Sequence, residues 1–257
     1  VAREPVPVFS DPAHPGLLSR EGEAALPHDR CGQVRALEFI ALAGTIFRVA
    51  DCGSDGGATI CHVTSDTYPD LPGQHLYLDA SRLAFNREMP PVRIPVLPAR
   101  HDLLRRLEGR QGAAYVWGGN LIQGVRCGTG SAFRGVDCSG LLYEATDGFT
   151  PRNTSGLVRF GRGVRVAGLP DRELAARLEP LDLLVWDGHV IIVLDGERTI
   201  ESRLECDDAG RGGVVIRRLG DTVARLLAGR RAVDEWPADG VAGERLFVVR
   251  RWYGGNP

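Results

Sequence analysis

The chain has no lysine: all 31 of its basic residues are arginine. A GC-rich genome is the simplest account of that bias. Against 33 acidic residues the net charge is −2, and no long basic run stands out. Both facts argue against nucleic acid as a partner. No stretch approaches the ~18 apolar residues that cross a bilayer, so no membrane span is expected. None of the cysteines at 31, 52, 61, 127, 138 and 206 forms a C-x-x-C pair. A zinc site is therefore not expected. Six cysteines are too few for a disulfide scaffold in a chain of this size. Cys52 and Cys61 read two ways, as a bridge in an exported protein or as buried free thiols. Val1 to Phe9 lack the basic, apolar, small-residue order of a signal peptide. Residue 1 is not Met, so a leader removed by processing stays open, and location is undecided between export and the cytoplasm.

What is present is ordinary globular material, 43% hydrophobic and 25% charged over 257 residues, enough for two domains. Residues 1–30, rich in Pro, His, Asp and Gly, read as an extended segment with turns. Residues 31–88 read as short strands: an apolar run from Leu37 to Val49 broken at Ala43-Gly44, a loop with Gly53, Gly56 and Gly57, then Thr59 to Val63 and His75 to Leu78. That pattern suggests a small all-β barrel. Residues 89–98 carry four prolines and read as a linker. From residue 99 to 257 the pattern changes. Leu103, Leu104 and Leu107 fall at helical spacing, a second helix begins at Asp137 or Cys138, and a third covers Thr154 to Phe160. Leu181 to Trp186 and Val190 to Leu194 flank Asp187-Gly188, a hairpin signal. Strands at 199–201, 214–217 and 246–250 follow. Helices before antiparallel strands give an α+β order.

Cys138 stands in the first turn of its helix, facing unpaired N–H groups and the positive end of the helix dipole. Both favour the thiolate, which is the reactive form. Asp137 occupies the N-cap position. A purely structural cysteine would sit more naturally in the stripe of Leu141, Leu142 and Ala145. His189 opens an apolar strand directly after a tight turn; the histidines at 14, 28, 62, 75 and 101 do not. Glu201 lies twelve residues on. If the two strands are antiparallel neighbours, its carboxylate can orient the imidazole; otherwise it is a solvent-facing strand residue.

Tyr115-Val-Trp-Gly-Gly119, Gly135-Val-Asp-Cys-Ser-Gly140, Pro151-Arg-Asn-Thr154, Pro180-Leu-Asp-Leu-Leu184 and Gly188-His-Val190 occur in that order. Over roughly residues 100–205 the chain thus resembles the NlpC family of bacterial cell-wall cysteine peptidases. The resemblance implies a papain-like catalytic domain, a nucleophile Cys138, a base His189 and hydrolysis of the γ-D-glutamyl–diamino acid amide in peptidoglycan stem peptides, without a cofactor. It also implies that Tyr115 assists at the oxyanion and that Asp137 and Ser139 contact substrate. Tyr115 is alternatively an aromatic core residue beside Trp117.

Three departures stand out. Glu201 replaces the usual His, Asn or Gln. The segment from Gly119 to Gly135 is long, with Cys127, Arg126 and Arg134, and is expected to form a loop at the active-site mouth. Leu181 replaces a glycine before Asp182. Residues 43–49 and 76–83 resemble a bacterial SH3-type barrel. In related enzymes such a barrel narrows the substrate range towards stems with a free N-terminal L-Ala. Tyr77, with Tyr68 and Asp79, is the candidate there for reaching substrate. The chain is expected to act as a monomer. Competing readings are an N-acetylmuramoyl-L-alanine amidase or acyltransferase on the same scaffold, and a non-catalytic cell-wall binding protein.

Overall fold

The computed structural model describes residues 1–68, 75–85, 91–206, 212–237 and 244–254. They form two compact units, each assembled from three stretches of chain. The first comprises Val1–Pro95, Ala113–Gly140 and Leu204–Gly213; the second comprises Val96–Gly112, Leu141–Arg203 and Val214–Pro257. The first crossing falls inside the proline-rich stretch 89–98, of which Met89 and Pro90 lie outside the described residues.

The first unit holds β1 (Val6–Phe9), α1 (Ala13–Glu21), β2 (Leu37–Ala41), β3 (Arg48–Asp55), β4 (Ala58–Thr64) and β5 (Leu76–Asp79). The strands form one antiparallel sheet in the order β2-β1-β5-β4-β3. Alternation sets its two faces. Val6, Val8, Phe39, Cys61, Leu76 and Leu78 build one core, while Phe9, Leu37 and Ile40 join Leu18 of α1 in another. The β3–β4 hairpin turns at Gly56 and Gly57, both at positive φ (54° and 88°), the geometry that matches strand twist. Cys52 and Cys61 stand opposite each other in this hairpin and are disulfide-bonded. A second disulfide joins Cys31 to Cys206. These two bridges decide the open reading of Cys52 and Cys61, and they also raise the importance of disulfides in this chain.

Residues 1–30 are not an extended segment. β1 is tolerated despite Pro7 because its pairing with β5 is confined to Phe9–Tyr77, so Pro7 donates nothing on that side. α1 begins where the Asp11 carboxylate accepts the Ala13 N–H, and its Pro15 sits in the first turn, where no intrahelical donor is needed. The stretch 113–140 also differs from expectation. It forms β6 (Asn120–Leu121), β7 (Val125–Cys127), β8 (Gly130–Ala132) and β9 (Gly135–Val136), with β6 paired to β9 and β7 to β8. The expected loop is thus a folded hairpin, and its Val125, Ala132 and Phe133 complete the core around Phe9 and Ile40.

The second unit holds α2 (Arg100–Glu108), most of α3 (Cys138–Ala145), α4 (Thr154–Leu157), β10 (Arg162–Gly163), α5 (Asp171–Arg177), β11 (Leu183–Trp186), β12 (His189–Val193), β13 (Arg198–Arg203), β14 (Gly213–Arg218), α6 (Leu219–Gly229), β15 (Arg231–Val233) and β16 (Leu246–Arg251). Its sheet runs β10-β16-β11-β12-β13-β14, antiparallel from β10 through β13, with β15 parallel to β16. The molecule is therefore mixed α and β with antiparallel sheets. Beyond β14, α6 covers one sheet face through Leu219, Val223 and Leu226, and β16 enters the sheet between β10 and β11.

Candidate active-site residues

The nucleophile candidate is held by the first unit. Cys138 is buried and is the first residue of α3. Asp137 caps the helix: its Oδ1 accepts the Gly140 N–H at 2.6 Å and the Ser139 hydroxyl at 3.2 Å. The glycines of Trp117-Gly-Gly119 and Cys138-Ser-Gly140 explain themselves here as close backbone approaches. A Cβ on Gly140 would strike the Gly119 carbonyl oxygen, and one on Gly119 would stand 2.6 Å from the Gly135 oxygen. Only glycine permits that approach. Backbone bonds then stitch the strip together, from Asp137 N–H to Gly119 O (2.9 Å) and from Val136 N–H to Ala114 O (3.1 Å). Tyr115, between these anchors, is buried and lines a cavity of about 240 Å³ with Gln33, Val34, Trp117, Phe133 and Arg134.

The base candidate is held by the second unit. β11 and β12 pair with Trp186 opposite His189, and Gly188 takes φ 100° in the turn between them. Thr154 fixes that turn: its hydroxyl oxygen accepts the Gly188 N–H at 2.9 Å. The register Ile192–Ile200 and Val193–Thr199 places odd-numbered residues of β12 and β13 on one face. His189 and Glu201 share that face, and Nε2 of the ring lies 2.8 Å from Oε2 of the carboxylate. Glu201 is 4% exposed, so it is not a solvent-facing strand residue. Its other oxygen, Oε1, accepts from Arg225 at 2.8 Å and lies 3.3 Å from Nε of Arg217. Burial alone would raise the carboxyl pKa. The hydrogen bonds and charges of His189 and Arg225 overcome that and hold it at about 2. The Trp186 ring packs 5.1 Å from the imidazole and carries the Arg230 guanidinium 4.0 Å from its centre.

The remaining candidates divide. Tyr77 lies in β5 beside His62, ring centres 5.3 Å apart, and does not line the Tyr115 cavity. Tyr68 stacks on Phe39 and donates its hydroxyl to Glu38, and Asp79 caps a short turn at Ser81 while accepting from Ser19. Both serve the sheet's own framework. Sequence reasoning gave no role to Thr154, Arg217 or Arg225. Thr154 had a signal, since it ends the Pro151-Arg-Asn-Thr motif. The arginines had none, because they meet Glu201 only once β14, which carries Arg217, and α6, which carries Arg225, are in place beside β13. Asp182, in the Pro180-Leu-Asp-Leu motif, is buried and pairs with Arg251 at 2.8 and 2.6 Å, a structural ion pair. Among the described residues no three His, Cys, Asp or Glu side chains stand close enough to hold a metal.

A helix-borne cysteine and a strand-borne histidine–carboxylate pair on an α+β fold are thus the chemistry-bearing groups. No family model and no curated protein matches the chain. Among solved structures it is similar to an NlpC/P60 family protein from Bacillus cereus ATCC 10987, at 17% identity and a TM-score of 0.36, over 98% of this chain and 62% of that one. The chain spans less than two thirds of that neighbour, and a likeness of this size establishes no family membership.

Proposed function

We propose that the chain is a cysteine peptidase that cuts peptidoglycan stem peptides at the γ-D-glutamyl–diamino acid bond. The observation that carries this reading is the 2.8 Å contact between His189 Nε2 and the buried Glu201 carboxylate. An ionised carboxylate is costly to bury, and one aimed at an imidazole on a strand that opens after a tight turn is typical of a tuned base. With Nε2–H donated to Glu201, Nδ1 is the nitrogen assigned to the thiol of Cys138. The thiolate attacks the γ-D-Glu carbonyl, His189 protonates the leaving amine, and water hydrolyses the thioester. Tyr115 and the N–H groups that open α3 stabilise the oxyanion; one such donor is worth about 3 kcal/mol.

Asp137, already committed to its cap, contributes to substrate binding chiefly by holding Ser139 and the helix start. Tyr77 is assigned to the far end of the stem peptide, on a sheet read as an SH3-type module. Two disulfides favour an oxidising compartment, and hence the cell wall over the cytoplasm.

The test is L-Ala-γ-D-Glu-diaminopimelate incubated with wild type and Cys138→Ala, products read by mass. Wild type is expected to release L-Ala-γ-D-Glu and the variant none. Equal release by both, or none by either, overturns the assignment. Release of whole stem peptides from the sugar would make the enzyme an amidase instead.

A further inference from the structure

We propose that Arg225 is a positioning residue for this site: by holding Oε1 of Glu201 it aims Oε2 at the His189 imidazole. The proposal rests on the reading of His189 as the base. A glutamate with one oxygen committed can still swing about its terminal torsion, which is broad and weakly restrained. A second, directional bond to the other oxygen removes that freedom. Arg225 supplies it at 2.8 Å from α6.

The docking of α6 makes the bond geometrically exact in register. Thr199 and Glu201 are two apart on β13 and share a face, while Thr222 and Arg225 are three apart on α6 and share a side. Thr199 meets Thr222 at 2.9 Å, and Glu201 meets Arg225 at 2.8 Å. Two matched polar contacts thus pin the helix over the strand, with Val223 and Leu226 packing between sheet and helix.

The charges agree. Among the described residues, the charged and titratable groups that pair with Glu201 are His189 from β12, Arg217 from β14 and Arg225 from α6. Arginine does not lose its proton in proteins, so its hold on the carboxylate persists whatever the state of the imidazole. With His189 and Arg225 offsetting its burial, Glu201 has its pKa lowered to about 2 and stays ionised into acid. Where a His, Asn or Gln would orient the base as a neutral group, a carboxylate needs this counter-charge to remain a dependable acceptor.

The experiment titrates ¹³C-Glu, ¹⁵N-His labelled full-length protein by NMR, as wild type, Arg225→Gln and Arg225→Lys. Stem-peptide kcat and KM are measured on the same samples. Arg225→Gln is expected to raise the Glu201 titration by about one pH unit or more. It is also expected to cut kcat about tenfold to a hundredfold with KM little changed. Arg225→Lys, which keeps the charge, is expected to recover most of both. An unmoved Glu201 titration in Arg225→Gln, with the His189 Nε2 proton signal as in wild type, overturns the proposal. So does a moved titration with unaltered kcat. If Arg225→Gln does not fold, the same titration in Arg225→Met, which keeps the apolar stem and removes the charge, decides, an upward shift being expected and no shift overturning the proposal. A wild type that cleaves no stem peptide sinks the functional assignment alone, since the titration still reads the aim of Glu201.

Discussion

One carboxylate among 33 acidic residues carries the most information in this molecule. Spacing alone left Glu201 divided between orienting an imidazole and facing solvent. The strand register brings it to His189, and the arginines that neutralise it come from parts of the chain with no local signal. Its effect on stability has a definite sign. The folded pKa of about 2 lies below the ordinary value of 4.5, so the contribution is fully present above that ordinary value and fades as pH falls towards the folded one. The shift corresponds to roughly 3 kcal/mol. Glu201→Gln is therefore expected to unfold at lower urea than wild type at pH 7, and the two midpoints are expected to converge as pH falls from 4.5 towards 2. A constant gap across that window would mean that the pair contributes packing and not charge. Asn120 shows the same limit of sequence reading. It is fully buried, and its amide both accepts from and donates to the Ile40 backbone at 2.9 Å, replacing a strand neighbour. Nothing in the sequence around it announces that role.

At the scale of elements, the legible parts were those with local patterns. The hairpin at 181–194 declared itself through two apolar runs around Asp187-Gly188, and α2 through leucines at helical spacing. The first 30 residues hid a strand and a helix because Pro, His and Asp are prominent in their composition, while the strand partners lie at 37–41 and 76–79. Leu181 stands where the resembled motif has a glycine, and the structure shows what that replacement entails. Leu181 takes φ 76°, a left-handed conformation disfavoured by a side chain, yet it is buried and accepts the Trp252 indole N–H on its carbonyl at 2.8 Å. Burial and strain oppose each other there. Leu181→Ala keeps the strain and loses the packing; Leu181→Gly loses the packing and relieves the strain. Both are expected to destabilise, but glycine less than alanine by about 1 kcal/mol, the reverse of the usual order. Urea midpoints of the two variants measure the difference, and alanine as the more stable variant would show that the backbone at 181 bears no strain.

The whole molecule is where the sequence was least legible, because its two units exchange chain at residues 95–96, 112–113, 140–141, 203–204 and 213–214. A reading that moves along the chain finds one boundary, at the prolines, and misses the returns. The return that starts at Leu204 carries a covalent tie at Cys206. Cys206 bonds to Cys31 across 175 residues, whereas Cys52 and Cys61 are only 9 apart and already paired within a hairpin. No spacing rule reveals the first bridge. Loop-closure entropy ranks them: a crosslink over the longer loop restricts the unfolded chain by roughly 5 kcal/mol, and one over the shorter loop by roughly 3 kcal/mol. The hairpin would hold its own two ends close without the bond, which lowers the second figure further. Cys31→Ser/Cys206→Ser is therefore expected to lose more stability than Cys52→Ser/Cys61→Ser. The check is equilibrium urea unfolding of both double variants against wild type under oxidising conditions, repeated with reductant. Reductant is expected to bring wild type down to or below the Cys31/Cys206 variant and to change the Cys52/Cys61 variant by nearly as much. Equal losses in the two variants would mean that the long crosslink does not restrict the unfolded chain more than the short one does.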